Sequence, residues 1–415
     1  MNAVASTATT REDPGHRLRP RGSNQVGMRA FNERVVLQAI RLHGALPKAE
    51  IARLTHLTPQ TVQVIVARLE ADDLVLKLAP VRGKVGQPSV PMALNPDGAF
   101  AIGLHIGRRR LDLLLVDFTG RVRERSVMQY PFPDPDLLFP EVEARVAALR
   151  NSLKPALRSR LQGIGVSAPL SLGRWSELLG VPAAMTAKWD GLDVRERLAA
   201  FHDGPVEFVK DTAAACVAEL VAGRGRSIPS FLYLFVDTFI GGGLVIDSHL
   251  RAGVHGNAGA AGSLPLGLEH IDAGRPPAQL LSLASLYNLE ARFRRAGLET
   301  GAASDERALE EPWRPHTLGW LREAAPAVAF AINSAACLLD LEGVIVDGSF
   351  APALLAALLD ETARALDRYD WTGVSRPAVL AGTIGSDARA VGGALLPLYA
   401  NFAPDRELFL KGAEA

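Results

Sequence analysis

The run TPQTVQVIVARL, residues 58–69, constrains this chain more than any other stretch. Thr58 is a good N-cap type, and Pro59 suits the first helical position, where a missing N–H costs nothing. Val62, Ile65, Val66 and Leu69 then recur at i, i+3, i+4 and i+7, so a helix here has one apolar face. The opposite face carries Gln60, Gln63 and Val64, with Thr61 at its edge. Two helices are legible upstream. One runs from about Pro47 to Thr55 and packs Ile51 and Leu54; the other runs from about Val26 to Leu42 and contributes Phe31, Val36, Leu37 and Ile40. Downstream, LVLKLAP and SVPMALN are strand-like and joined by VRGKVGQP, a glycine-rich tip with Arg82, Lys84 and Gln87 placed as in a wing. Residues 22–95 therefore predict a winged helix-turn-helix whose third helix suits base edges in a major groove. The bland alternative is a small helical subdomain with a solvated polar face.

Charge separates the two. Residues 1–95 hold 13 Lys and Arg against 7 Asp and Glu, a net +6, and the remainder holds 32 against 38, a net −6. A chain of zero formal net charge thus carries a basic head on an acidic body, which suits phosphate contacts at one end only. The head is expected to bind double-stranded DNA. Gln60, Thr61 and Gln63 would face bases, Arg82, Lys84 and Gln87 the minor groove or phosphates, and Arg29 and Lys48 the backbone, with Asn32 and Thr58 beside them. Residues 1–21 are polar and lack an apolar h-region, so they predict a disordered tail and no secretory signal.

At 415 residues the chain exceeds one ordinary core. No apolar run reaches the roughly 18 residues of a membrane span. Cys216 and Cys337, both in apolar helical contexts, are expected to be buried and reduced, which fits a cytoplasmic protein. With no neighbouring Cys or His they do not form a structural zinc cluster, and no metal or cofactor is expected.

Asn95 to Gly98 is a turn-rich joint. Beyond it, residues 99–130 predict a three-stranded meander, then a helix from about Leu137 to Leu157, the strand LQGIGVSAP, a helix over Val194 to Phe201, the strand PVEFVKD and the helix TAAACVAELVAGRG. A second strand pair, FLYLFVDTFIGGGLVIDSHL, hinges on Gly241 to Gly243. A helix around Ala324 to Leu339, the strand GVIVDG, a helix over Pro352 to Leu366, the strand PAVLAGT and a helix from Ala388 close the chain. A meander leading into alternating strands and helices, twice over, predicts two α/β lobes with a ligand cleft between them.

From Gly22 onward the chain resembles the ROK family of repressors, open reading frames and sugar kinases, in its repressor form. The head carries GSNQ, Arg29, Asn32, AEIARLTHLTPQTVQVIVARLE and a Gly-x-Pro wing tip; the body carries GIGVSAP, Trp189-Asp190-Gly191, Lys210-Asp211, IGGGLV, GVHGNAGAAG and IVDGSF. The resemblance implies an actin-like ATPase (ribonuclease H-like) body of two lobes, about 98–209 plus the C-terminal helix and about 210–395. It departs at functional positions. His105-Ile106-Gly107-Arg108-Arg109 replaces the D-I-G-G-T phosphate loop, and Asp237 and Phe239 stand where the second phosphate loop has glycines. The general-base aspartate maps onto Asp211, but its flanking asparagines are Lys210 and Ala213, the sugar-binding Asn is Met185, the Glu and His of E-x-G-H are Ala260 and Ser263, and the cysteine-rich zinc segment is absent.

These losses imply a regulator whose body serves sensing or assembly. It would act as a homodimer or dimer of dimers on a palindromic operator, with a sugar or sugar derivative as its small-molecule effector. Candidate effector contacts are Lys188, Trp189, Asp211, His255 and Asn257. Each has a structural reading beside it: Asp211 as a helix-start acid, Trp189 as a packing anchor, His255 and Asn257 as solvated loop residues. Inward-facing Lys188, Arg108 and Arg109 would hint at an anionic effector, and outward-facing ones at a solvated surface. Two alternatives remain open: a sugar kinase carrying a DNA-binding head, with Asp211 catalytic, and a ligand-independent binder whose body is only a scaffold.

Overall fold

The computed structural model describes residues 25–81, 89–169, 181–267 and 277–404. In the head, α1 (Gln25–His43), α2 (Lys48–Thr55) and α3 (Pro59–Ala71) form a three-helix unit. Thr58 caps α3, its Oγ1 accepting the Thr61 N–H at 3.2 Å. Val62, Ile65, Val66 and Leu69 are buried. At about 1.5–3 kcal/mol each, they hold a helix too short to be stable alone. Val36, Leu37, Ile40 and Ile51 complete this core, with Leu54 partly buried against it. Phe31 does not join it, being 48% exposed. The first turns of α1 overshoot the core, so an apolar residue there meets solvent.

β1 (Leu46–Pro47), β2 (Val75–Lys77) and β3 (Pro91–Leu94) make an antiparallel sheet in the order β1-β3-β2. β1 is two residues long, too short for any periodicity to announce it. Arg82, Lys84 and Gln87 of the wing tip, and the tail, lie outside the described residues.

The first body sheet contains β4 (Phe100–Ile106), β5 (Arg110–Asp117), β6 (Val122–Gln129), β7 (Leu161–Ala168) and β8 (Val206–Lys210), in the order β6-β5-β4-β7-β8. The first three are antiparallel, and β7 and β8 add in parallel. The second sheet repeats that plan with β9 (Phe231–Val236), β10 (Gly241–Ile246), β11 (His249–Arg251), β12 (Gly343–Gly348) and β13 (Ala378–Ala381), in the order β11-β10-β9-β12-β13. β4 and β9 are central in their sheets and buried at every residue, so both read as largely apolar runs, broken in β4 only by His105.

The body's helices are α4 (Pro135–Ser152), α5 (Ala183–Thr186), α6 (Val194–Ala199), α7 (Asp211–Ala222), α8 (Leu281–Ala284), α9 (Leu286–Arg295), α10 (Arg314–Leu339), α11 (Pro352–Leu366) and α12 (Ala388–Phe402). α12 packs on β4 and β7, α7 packs on β10, and the two helices pack on each other. They touch backbone to backbone at Gly392, where a Cβ would stand 1.8 Å from the Ala214 carbonyl oxygen. α10 starts well before the expected Ala324 and continues through Pro326, because Trp320 and Leu321 anchor its early turns in the core. Its last turn runs past that core, so Cys337 is exposed, contrary to expectation, while Cys216 is buried. One apolar cluster continues from the head's Val36 and Val75 to Phe118, Leu395 and Tyr399 of the body.

Candidate functional site

On the head, Gln60, Gln63 and Val64 of α3 are exposed and Thr61 is half-buried. Gln60, Thr61 and Val64, but not Gln63, join the N-terminal part of α1 in a concave surface of about 580 Å³, lined also by Arg29, Asn32 and Arg68. Glu33 stands 4.0 Å from Arg29 and 3.6 Å from Arg68, holding both guanidiniums at the edge of this surface. The Thr58 and Thr61 hydroxyls share a hydrogen bond of 2.8 Å, so Thr58 serves as the cap while Thr61 lies on the concave face. Lys48 is half-buried at the start of α2 and is not among the residues lining this surface. Sequence reasoning missed Arg68, although it lies four residues beyond Val64 on the same helical stripe.

In the body, the turn after β4 is closed, with the Gly107 N–H bonded to the Arg110 carbonyl at 2.9 Å and the Tyr130 hydroxyl to the Gly107 carbonyl at 2.8 Å. Arg108 turns inward, its guanidinium 5.0 Å from the centre of the Phe239 ring. Arg109 pairs with Glu290 of α9. Behind them, Arg389 is buried, paired with Asp237, donating to Ser349 Oγ at 3.1 Å and lying 4.9 Å from the Phe235 ring centre. Burial opposes the Asp237 carboxylate, but Arg389 outweighs it and holds its pKa below the usual range. His105, at the position of the phosphate-loop aspartate, is buried with Nδ1 3.1 Å from the Ser167 carbonyl. Burial, reinforced by Arg389, depresses its pKa well below the ordinary histidine value, so the ring is neutral.

Three guanidiniums, two ion pairs and a neutral imidazole thus occupy the ground where a phosphate loop would bring bare backbone N–H groups. The triple glycine serves packing: a Cβ on Gly243 would stand 2.6 Å from Cys216 Cβ, and one on Gly241 would stand 2.6 Å from Thr212 Cγ2. These glycines let β10 lie directly on α7.

On the expected sugar side, Asp211 begins α7, buried, with Oδ1 accepting the Thr212 N–H at 2.8 Å. Lys188 is held by Asp134 at 2.9 Å and Asp136 at 2.7 Å, which turns it toward the start of α4. Trp189 donates from Nε1 to the Pro133 carbonyl at 2.7 Å and packs against Phe139, as an anchor of its turn. His255 and Asn257 are exposed. A cavity of about 560 Å³ does open here, but neither of them, nor Lys188, Trp189 or Asp211, lines it; the neighbouring Gly256, Ala258, Lys210 and Ala213 do. Among the described residues, no three His, Cys, Asp or Glu side chains gather as metal ligands.

The ROK family model matches residues 101–399, and a winged helix-turn-helix DNA-binding model matches residues 32–75. This chain belongs to the ROK family. The uncharacterized protein y4fQ of Sinorhizobium fredii is 28% identical over 377 residues, covering 90% of this chain and 92% of that protein. The xylose repressor of Bacillus subtilis is 21% identical over 248 residues, covering 59% of this chain and 62% of the repressor, so the match spans under two thirds of that relative. A ROK family transcriptional regulator described as a homologue of the E. coli MLC protein has the same fold, with a TM-score of 0.65 at 17% identity, over 92% of this chain and 99% of that one. A ROK family glucokinase from Streptomyces griseus, solved with glucose and AMPPNP, matches 72% of this chain and 99% of its own at a TM-score of 0.57 and 20% identity. The ROK chain here therefore has a winged helix-turn-helix ahead of a sugar-kinase-like body.

Proposed function

We propose that this ROK protein is a DNA-binding transcriptional repressor whose body senses a small molecule and does not phosphorylate sugars. The observation that carries the reading is the exposed face of α3. It presents Gln60 and Gln63 to solvent on the basic head and shares a concave surface with Arg29, Asn32 and Arg68. Glutamines of this kind bond base edges, while the arginines meet phosphates. Arg82, Lys84 and Gln87 of the wing would approach the flanking minor groove, and Lys48 the backbone. A homodimer, or a dimer of dimers, would present two heads to a palindromic operator in the cytoplasm. Xylose repressors among the relatives favour a sugar or sugar derivative as effector. A ligand changes the operator affinity only by preferring one placement of the heads over the other.

Against phosphoryl transfer stand the Arg389–Asp237 pair and the closed turn at Gly107. The kinase reading is favoured by one observation, the aspartate Asp211 kept at the start of α7. A coupled assay with ATP and a panel of hexoses separates them. No turnover is expected, and turnover abolished by Asp211→Asn would establish the kinase. In parallel, Gln60→Ala combined with Gln63→Ala should remove sequence preference from a random DNA pool while leaving the salt slope of binding intact.

A further inference from the structure

Among the described residues, the cavity beside α7 is lined by cations that form no ion pair. Its walls include apolar Phe208, Ala213 and Leu250, and three basic residues, Arg195, Lys210 and Arg251. Among the described residues one carboxylate lines it, Asp193, whose Oδ1 already accepts the Arg195 N–H at 2.7 Å as the cap of α6. Among the described residues, neither Lys210 nor Arg195 has an ion-pair partner, and the Arg251 guanidinium reaches only the Ile246 carbonyl, at 3.3 Å. Asp211, next in sequence, is an opposing charge that acts on Lys210, and its Oδ1 is engaged by the Thr212 N–H. Lys210 is half-buried, and burial lowers the pKa of its amine. An ammonium withdrawn from water without a partner is costly, and an anion in the cavity removes that cost. Neutral sugars are read by several converging amides and carboxylates, which the described residues of this wall do not offer.

We propose that this cavity binds a small organic anion, its carboxylate or phosphate met by Lys210, with Arg195 and Arg251 at the rim and its carbon skeleton against Phe208 and Leu250. As an effector it would deepen the regulator reading, and it rests on that reading for its purpose, though not for its occupancy. Lys210 and Ala213 stand where the family's asparagines would be, so the exchange of amides for a charge and a methyl is itself the change of ligand class.

The test is titration of the full-length protein with D-glucuronate, D-glucose 6-phosphate and benzoate, each beside neutral D-glucose, read by thermal shift and calorimetry. At least one anion should bind with one site per chain and raise the Tm, while glucose does not. Lys210→Met should weaken that anion about tenfold or more, the loss of one charge-assisted contact. The same variant should match or exceed the wild-type Tm without ligand, which separates lost binding from lost folding. Arg251→Met should weaken the same anion by a smaller factor. Failure of all three anions to bind, glucose binding in their place, or unchanged affinity in Lys210→Met overturns the proposal. Anion binding by a protein indifferent to DNA sinks the regulator reading alone, and operator binding without any anion response sinks the cavity assignment alone.

Discussion

The Arg41 guanidinium donates to the Phe118 carbonyl at 3.0 Å and lies 5.0 Å from the centre of the same residue's ring. Arg41 belongs to the last turn of α1 in the head, and Phe118 to the turn after β5 in the body. The Tyr399 ring of α12 lies 5.3 Å from the same guanidinium. Arg226 of the body bonds the Leu42 carbonyl at the end of α1, and Arg160 pairs with Asp73 at 2.7 Å just beyond α3. The head is therefore bonded to the body at the end of α1 and just beyond α3, a geometry through which a change in the body would reach the exposed face of α3.

Arg41→Ala should uncouple the two. It leaves the Phe118 carbonyl unpaired and removes two cation–π contacts, costing on the order of 2–4 kcal/mol. Differential scanning calorimetry should then show the head melting ahead of the body, where the wild type melts in one transition. A single transition at the wild-type temperature would contradict the coupling.

On α3, Gln60→Ala and Gln63→Ala should each weaken specific operator binding by about 1–3 kcal/mol, the worth of a base contact. Both residues are exposed, so neither substitution should change the Tm. Fluorescence anisotropy against specific and scrambled duplexes reads the difference. A uniform loss on both duplexes would make these residues phosphate contacts and not readers of sequence.

At the cleft, Arg389→Met should destabilise by about 1–3 kcal/mol, because it takes the paired guanidinium from the part-buried Asp237 and leaves only Arg108 nearby. The double variant Arg389→Met with Asp237→Asn should recover most of that loss in urea melts. Asp237 has a depressed folded pKa, so its contribution is complete above its unfolded value near 3.8 and fades as pH falls below it.

His105 acts higher on the pH scale. Its folded pKa lies well below the ordinary value of 6.5, so below that pH the unfolded chain binds a proton that the folded chain refuses. Stability should fall as pH drops from about 6.5, approaching 1.4 kcal/mol per unit from this group alone. His105→Gln should flatten the urea midpoint between about pH 6.5 and 5; an unchanged slope would mean the ring takes its proton in the folded protein.

Much of this fold was legible. The period of Val62, Ile65, Val66 and Leu69 gave away α3 and its buried face, and the apolar runs of β4 and β9 marked both as strands. The site was less so. Lys188 and Trp189 lie near the cleft in sequence, but Asp134 and the Pro133 carbonyl, more than fifty residues away, hold them elsewhere. Arg108 and Arg109 are adjacent, yet one reaches the Phe239 ring and the other Glu290, partners that only the packing of the second sheet supplies. Gly241 to Gly243 carry the spelling of a phosphate loop and the geometry of a strand pressed on α7. Periodicity reports which face is buried; it does not report which distant side chain will meet a charge.

Selection of genomic DNA fragments by the purified full-length protein at moderate salt, followed by sequencing, addresses the regulator reading most directly. Recovery of a shared inverted repeat, lost with the Gln60→Ala and Gln63→Ala double variant, is the expected result. Recovery of unrelated fragments, with binding that collapses steeply as salt rises, would mean phosphate attraction without sequence reading and would contradict it.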